Sequence, residues 1–286
     1  MDKTFSKTLI TGAEGMVGSY VDFGIRTDAD SLDITNIKEV SEKIENYKPD
    51  TVIHLAAETD VDKCERNPAD AYFVNSVGMY NIALAAKSIG AKMVYISTAG
   101  VFDGTKKTPY SEEDEPNPFN YYGRSKYLGE LIVRDLSVDY LIIRSGWMFG
   151  GGPEKDKKFV AKIIKQLSQP EVKAVNDKMG SPTFAKDLVE AIKKLLLENK
   201  TGLFHFSGKG CCSRYELALE IAKILRSKTK IIPVNSSCFN LDAERSKNEG
   251  LASKLDFMRP WQEALKEYLK TEWIQEDFNN LKKIRT

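Results

Sequence analysis

The sequence predicts an α/β protein built on a doubly wound parallel sheet of the Rossmann type, with a smaller C-terminal α/β lobe. Three observations favour this fold class. Short apolar runs alternate with segments of helical periodicity through the first half of the chain. A glycine-rich turn follows the first apolar run, and two hydroxyl residues end the fourth. After Pro153 the chain becomes a series of lysine-rich amphipathic helices, which indicates a second unit packed on the first.

The composition excludes several classes of protein. The 286 residues are 42% hydrophobic and 29% charged, which is typical of a globular domain with an added lobe. Because 42 basic residues balance 41 acidic ones, we expect no nucleic-acid partner. The absence of a long apolar run or a signal-peptide core predicts no membrane partner and a cytoplasmic location. The cysteines lack C-x-x-C spacing and the histidines do not cluster, so no metal site is expected.

The first predicted strand, residues 7–11, leads directly into a turn with G-x-x-G-x-x-G spacing. In such a turn the first glycine permits a tight bend, the second lets the backbone approach a pyrophosphate, and the third allows close helix–strand packing. Amide groups at the following helix start can then bind phosphate. The alternative is a glycine-rich loop without a ligand. The predicted phosphate-binding residues are Gly12, Gly15, Met16, Val17 and Gly18.

The second predicted strand bears on the choice of cofactor. Few residues separate Gly18 from residues 23–26, so the intervening helix is predicted to be little over two turns long. Arg26 would then lie near the strand end that meets the adenosine ribose. An arginine there can pair with a 2′-phosphate and favours NADPH, whereas an acid such as Asp28 favours NADH. The sequence leans towards NADPH, with NADH as the alternative.

Four further elements, alternately helix and strand, are predicted at residues 37–47, 51–57, 68–89 and 92–98. Ala56 and Ala57 end the third strand, and their small side chains let the backbone run close to a cofactor. Chemistry in these sheets gathers at the carboxyl ends of the strands. Thr98, at the end of the fourth strand, is therefore a candidate ligand neighbour; a hydroxyl that only caps the strand is the alternative.

A polar loop at residues 103–120 precedes a predicted helix that carries Tyr122 and Lys126. A spacing of four places the two side chains on one helix face, about one turn apart. An ammonium held near a phenol favours the phenolate and lowers the tyrosine pKa from about 10 toward neutrality. Such a phenol is suited to donating a proton during reduction of a carbonyl. The same spacing is also common on exposed helices.

A strand at residues 138–145 completes the first unit. The second half contributes a predicted strand and several helices, at residues 157–167, 185–197, 203–206, 215–225 and 261–269. This order predicts a dinucleotide-binding domain over residues 1–146, which residues 183–206 also join. The substrate-binding lobe is predicted over residues 147–182 and 207–286.

Three motifs together resemble those of the extended short-chain dehydrogenases/reductases: T-G-A-E-G-M-V-G at 11–18, S-T at 97–98 and Y-G-R-S-K at 122–126. Within that superfamily the chain is most similar to the dTDP-4-dehydrorhamnose reductases. Further stretches, Y-I-S-T-A-G-V-F-D-G at 95–104 and R-S-G-W-M-F-G at 144–150, extend the likeness. The resemblance implies NADPH-dependent reduction of the C4 ketone of a nucleotide-linked 6-deoxy-4-keto sugar, by a monomer or homodimer.

The resemblance also implies roles for single residues. The family's catalytic trio matches Thr98, Tyr122 and Lys126. Cofactor contacts beyond the glycine turn are implied at Arg26, Asp33, Ile34, Ala56, Ala57, Thr59, Tyr122 and Lys126. Substrate contacts are implied at Thr98, Val101, Phe102, Asp103, Tyr122 and Trp147, the last as the tryptophan that faces the sugar.

The chain departs from the family where the substrate should be recognised. The family commonly carries S-T-D-Y-V-F, whereas Ala99 and Gly100 follow Thr98 here. A 4,6-dehydratase is disfavoured because its eliminating acids would stand at these two positions. Another sugar-nucleotide reductase or a 4-epimerase stays open. So does a non-catalytic NADP-binding regulatory subunit, resembling that of methionine adenosyltransferase.

Overall fold

A six-stranded parallel sheet is the centre of the computed structural model, which describes residues 5–274. Its strands are β1 (Thr8–Thr11), β2 (Ile25–Arg26), β3 (Thr51–His54), β4 (Lys92–Thr98), β5 (Tyr140–Ser145) and β10 (Gly202–His205). Their spatial order is β10-β5-β4-β3-β1-β2. The chain runs outward from β1 to β2 and then returns to β3 on the other side of β1. This reversal opens a crevice at the carboxyl ends of β1 and β3. The predicted Rossmann-type fold is confirmed.

Helices cover both faces of the sheet. They are α1 (Ile37–Tyr47), α2 (Val61–Arg66), α3 (Pro68–Tyr72), α4 (Gly78–Ser88), α5 (Tyr121–Leu136) and α8 (Ala185–Leu197). Successive strand residues point to opposite faces. Leu9 accordingly packs with Ile44 of α1 and Met79 of α4, while Ile10 packs with Leu188 and Ile192 of α8. No helix within residues 5–274 is long and apolar enough to cross a membrane.

The remaining elements build a second core. Its strands are β6 (Met148–Phe149), β7 (Glu171–Val175), β8 (Met179–Gly180), β9 (Thr183–Phe184), β11 (Cys212–Ser213), β12 (Lys230–Val234) and β13 (Asn248–Glu249). Its helices are α6 (Gly152–Lys155), α7 (Phe159–Gln166), α9 (Arg214–Ile224) and α10 (Trp261–Tyr268). The strands form three small sheets, and Phe149, Phe184 and Tyr268 meet at the centre of this core. Residues 1–4 and 275–286 of the two predicted domains lie outside the described residues.

The first crossover is shorter than the sequence predicts. A single 3₁₀ turn, Gly18–Tyr20, replaces the expected helix of more than two turns. The second strand comprises Ile25–Arg26 alone. The predicted helix length was wrong because the chain must pass from the glycine turn to a strand beside β1 within these few residues. That path leaves room for one turn.

The helix predicted at residues 68–89 is interrupted by a π-helical stretch, Phe73–Val77. The stretch contains two buried polar residues, Asn75 and Ser76. Asn75 Nδ2 donates to Ser125 Oγ at 3.0 Å, and Ser76 Oγ donates to the Ser125 carbonyl at 3.0 Å. Widened turns of this kind are frequent at functional sites. Here the stretch attaches directly to α5, between Tyr122 and Lys126.

Candidate active site

The glycine turn lies against the backbone that follows β3. Gly12 has a φ of +68°, and a Cβ at this position would lie 2.6 Å from the Ala56 nitrogen. A Cβ on Gly18 would lie 2.4 Å from the Ala13 carbonyl oxygen. Both glycines are therefore required by close backbone approach. The result is a turn at the crevice, with no side chain at Gly12, Gly15 or Gly18 to fill it.

Substitution of Gly12 tests this close approach. We expect Gly12→Ala to destabilise the fold by roughly 3 kcal/mol or more, because a left-handed conformation and a backbone clash add together. Gly90→Ala is the matched control, since Gly90 has a φ of +71° but nothing within 4 Å of its Cβ position. It should cost about 1–2 kcal/mol. Urea unfolding measures both, and equal losses would show that contact with Ala56 contributes nothing.

Arg26 lies against the glycine turn. Its guanidinium donates to the carbonyls of Ala13 at 3.0 Å and Gly18 at 3.1 Å, and also to that of Val21. A longer contact of 3.4 Å reaches the Glu14 carboxylate. Arg26 therefore supports the turn with the same atoms that were predicted to meet a 2′-phosphate. Its role toward a cofactor stays a prediction.

The other predicted cofactor residues are held by local contacts. The Asp33 carboxylate accepts from the Thr35 amide at 2.9 Å and hydroxyl at 2.7 Å. Ile34 is buried and packs on Gly78. Lys158 Nζ reaches across from the second core and donates to both the carbonyl and the hydroxyl of Thr59 at 3.0 Å. The loop after β3, which includes Ala57, is therefore bonded to the lobe.

The structure brings Tyr122 and Thr98 together. Asn120 caps α5 by accepting from the Gly123 amide at 2.8 Å. A Cβ on Gly123 would lie 2.2 Å from the Gly100 carbonyl oxygen, so this glycine lets the helix approach the turn after β4. The Tyr122 ring and the Thr98 hydroxyl then lie beside the same glycine, because a Cβ on Gly100 would lie 3.6 Å from Tyr122 Cδ1 and 3.3 Å from Thr98 Oγ1. Thr98 Oγ1 also accepts from the Gly100 amide at 3.0 Å, so Thr98 caps the turn on which Tyr122 packs.

The pKa of Tyr122 is shifted in the direction opposite to the prediction. Burial raises it to about 12, and nearby acidic groups add to the rise, while the hydrogen bond with Thr98 opposes it. Lys126 Nζ lies 4.2 Å from the centroid of the Tyr95 ring, and burial lowers the Lys126 pKa to about 7. The expected lowering of the tyrosine pKa is therefore wrong for this structure. Desolvation, which helical spacing does not reveal, is the largest cause of the shift, and Lys126 is not among the main groups that act on the Tyr122 pKa.

A buried ion pair lies beneath the Tyr122–Lys126 face of α5. Arg144 donates to Glu130 through Nε at 2.8 Å and through Nη2 at 2.7 Å. Ser97 Oγ donates to the same carboxylate at 2.5 Å, and the Glu130 and Arg144 side chains are 0% and 1% exposed. Sequence reasoning missed Glu130. The signal was its position four residues after Lys126, on the same helix face.

Two residues with predicted substrate contacts lie in the core. The side chains of Val101 and Phe102 are fully buried, and Phe102 stacks on Tyr110 with centroids 4.2 Å apart. Their apolar character places them in the core beside β4, and their contact with a substrate stays a prediction. Asp103 stabilises the adjoining loop, because its carboxylate accepts hydrogen bonds from the Thr105 amide and the Asn117 side chain. These bonds lower the Asp103 pKa to about 2.

Trp147 is held from three sides. Its Nε1 donates to Glu249 Oε2 at 2.5 Å, and the Arg214 guanidinium lies 3.5 Å from the ring centroid. A Cβ on Gly180 would lie 2.2 Å from the indole. Glu249 is also among the acids that raise the Tyr122 pKa, so this cluster lies within electrostatic range of the phenol. Sequence reasoning missed Glu249 and Arg214, because nothing in the chain order links them to Trp147.

Comparison with known proteins gives matches over almost the whole chain. Residues 6–273 match the sequence model of a family described as the RmlD substrate binding domain. The spore coat polysaccharide biosynthesis protein SpsK of Bacillus subtilis is 36% identical over 278 residues. That match covers 92% of this chain and 97% of SpsK.

Solved structures agree with the sequence matches. A dTDP-4-dehydrorhamnose reductase from Clostridium acetobutylicum superposes with a TM-score of 0.89 and 38% identity, over 92% of this chain and 98% of that one. The enzyme of that name from Bacillus anthracis, solved in complex with NADP, gives a TM-score of 0.88 at 34% identity, with the same coverage. The sequence matches and the structural matches therefore indicate the same family and the same fold.

Proposed function

The chain belongs to the RmlD substrate binding domain family within the extended short-chain dehydrogenases/reductases, and from this we propose that it reduces the C4 ketone of a dTDP-linked 6-deoxy-4-keto sugar with NADPH. The predicted family and the NAD(P)-dependent oxidoreductase class are confirmed. The identity of the sugar goes beyond the family assignment and is part of the proposal. SpsK, a curated relative, carries a name that points to spore coat polysaccharide rather than to rhamnose.

The observation that carries the proposal is that Thr98 and Tyr122 both lie against Gly100, at the carboxyl end of β4. Lys126 lies one helical turn further on, and its side chain is buried against Tyr95. A phenol that is buried beside a hydroxyl and protonated at neutral pH is suited to donate a proton to a developing alkoxide. No such donor is required by a protein that only binds a partner.

The glycine turn fits a dinucleotide. A Cβ on Gly12 or Gly18 would collide with the backbone of Ala56 or Ala13, so the tight turn expected of a pyrophosphate-binding loop needs glycine at both positions. When bound, NADPH supplies the hydride. Within the chain, Thr98 would hydrogen-bond the carbonyl oxygen, Tyr122 would give that oxygen its proton, and Lys126 would hold the nicotinamide ribose. The remaining rate enhancement comes from holding the ketone in a productive orientation beside these groups.

An NADPH-oxidation assay across a panel of nucleotide 4-keto sugars tests this function. We expect turnover with a dTDP-linked 6-deoxy-4-keto sugar and none with the corresponding 4-hydroxy sugar. NAD that copurifies at full occupancy and is not consumed would indicate a 4-epimerase instead. Stable capture of a partner enzyme without turnover of any ketone would indicate a regulatory subunit. The cytoplasmic location, the domain boundaries and the monomeric or dimeric state stay predictions.

A further inference from the structure

The backbone at Trp147 is in an unusual conformation. Its φ of +43° lies in the left-handed region, which bulky side chains rarely adopt. Such a conformation costs about 1–3 kcal/mol and persists only where surrounding contacts enforce it. The contact with Gly180 accounts for the close fit on one side of the indole. The contacts on its other sides come from charged residues.

Arg214 forms a stack with two aromatic rings. Its guanidinium lies 3.5 Å from the Trp147 centroid and 4.7 Å from that of Phe159. Burial lowers the Arg214 pKa to about 10, while the charge of Glu249 opposes that shift. A planar guanidinium is suited to this stacking, whereas the ammonium of a lysine is not. Arg214 therefore fixes the plane of the indole.

Glu249 fixes the rotation of the indole within that plane. The charge-assisted hydrogen bond from Trp147 Nε1 to Glu249 Oε2 is short, at 2.5 Å. Glu249 belongs to β13, whereas Trp147 follows β5, so the bond joins segments distant in sequence. The carboxylate also acts electrostatically on both Tyr122 and Arg214. It thus contacts the predicted sugar wall and lies within electrostatic range of the predicted proton donor.

We propose that Glu249 and Arg214 are positioning residues that hold the Trp147 indole in one orientation as a wall of the sugar subsite. Arg214 sets the ring plane by stacking, and Glu249 sets its rotation by accepting from Nε1. The proposal rests on the proposed function, because a wall for a sugar presupposes a sugar substrate. It adds two residues, from α9 and β13, to those that determine how the ketone meets Tyr122.

The test compares two changes at Glu249. Glu249→Ala removes the acceptor for Nε1, so the KM for the 4-keto sugar should rise about tenfold, as expected for loss of one hydrogen bond, with little change in kcat. Glu249→Gln keeps an oxygen acceptor and should retain a KM close to that of the wild type. Both variants remove the charge that raises the Tyr122 pKa, so in both the alkaline limb of the pH–rate profile should move to lower pH. An unchanged KM in Glu249→Ala would overturn the proposal.

A double-mutant cycle separates positioning from general damage. Trp147→Phe lacks the Nε1 donor, so adding Glu249→Ala to it should raise the KM no further. A further tenfold rise in that background would show that Glu249 acts without Trp147. Arg214→Lys, which keeps the charge but not the planar face, should raise the KM, and a wild-type KM would refute the stacking role. The Kd for NADPH should be unchanged in all variants and reports correct folding.

A second readout does not depend on the substrate. Trp261 and Trp273 are each only 4% exposed, so acrylamide quenching of the fluorescence of the described tryptophans reports mainly on Trp147. Glu249→Ala should increase quenching, and Glu249→Gln should not. If the wild type reduced no ketone but this pattern held, the proposed function would fail while the positioning would stand. Equal quenching in all three proteins would refute the positioning.

Discussion

Tyr122→Phe is expected to lower kcat about 10²–10⁴-fold, the range that a positioned general acid contributes, while NADPH binding persists. The substitution removes only the hydroxyl and leaves the ring beside Gly100. Because burial keeps the Tyr122 pKa at about 12, the phenol carries its proton throughout the neutral range and is available as a donor. Removing it leaves the alkoxide to be protonated by water, which is neither held nor oriented.

Tyr121→Phe is the matched control, because it makes the same chemical change one residue earlier on α5. Tyr121 packs edge-on against Tyr72 and lies beside Arg124, away from Thr98. Its kcat should therefore stay near that of the wild type. Single-turnover NADPH oxidation gives the chemical rate, and fluorescence titration gives the NADPH affinity. Near-normal turnover by Tyr122→Phe would remove Tyr122 from the proton-donor role.

Local patterns predicted much of this molecule. The strands of the sheet follow from the apolar runs, because apolar side chains are buried whatever the order of the strands in space. The glycine turn was predicted because its glycines meet a requirement of the local backbone. The positive φ observed at Gly12 is that requirement. The alignment of Tyr122 with Lys126 follows from helix geometry alone. In each case the interaction that determines the feature lies within a few residues of the sequence pattern that predicts it.

Other features depend on residues far apart in the chain. The Tyr122 pKa is set by burial and by acids such as Glu249, so spacing to Lys126 could not give its direction. The stacking of Phe102 on Tyr110 likewise joins segments that no local pattern links. The sequence therefore predicts which residues share a face of α5, but not the burial of that face or the contacts that separate elements make with it.

Loss of the buried carboxylate beneath α5 should have the largest effect on stability. We expect Glu130→Gln to lower the free energy of unfolding by about 3–5 kcal/mol, because it leaves the Arg144 guanidinium buried without a counter-charge. Arg144 is 1% exposed and cannot recover hydration by a side-chain rotation. Glu130 also raises the Lys126 pKa, so its removal favours a neutral Lys126 within the site. One substitution should therefore weaken both the fold and the proposed ribose contact.

Urea unfolding, with Glu42→Gln as the control, measures this effect. Glu42 pairs with Lys38 at 3.9 Å, but the two side chains are 64% and 83% exposed, so solvent screens the interaction. That control should lose at most about 0.5 kcal/mol. Replacing Glu130 and Arg144 together by methionine removes both charges and should recover most of the loss. If the double variant were no more stable than Glu130→Gln, the cost would lie in packing and in the lost bond from Ser97. Recovery would instead identify the unpaired Arg144 charge as its source.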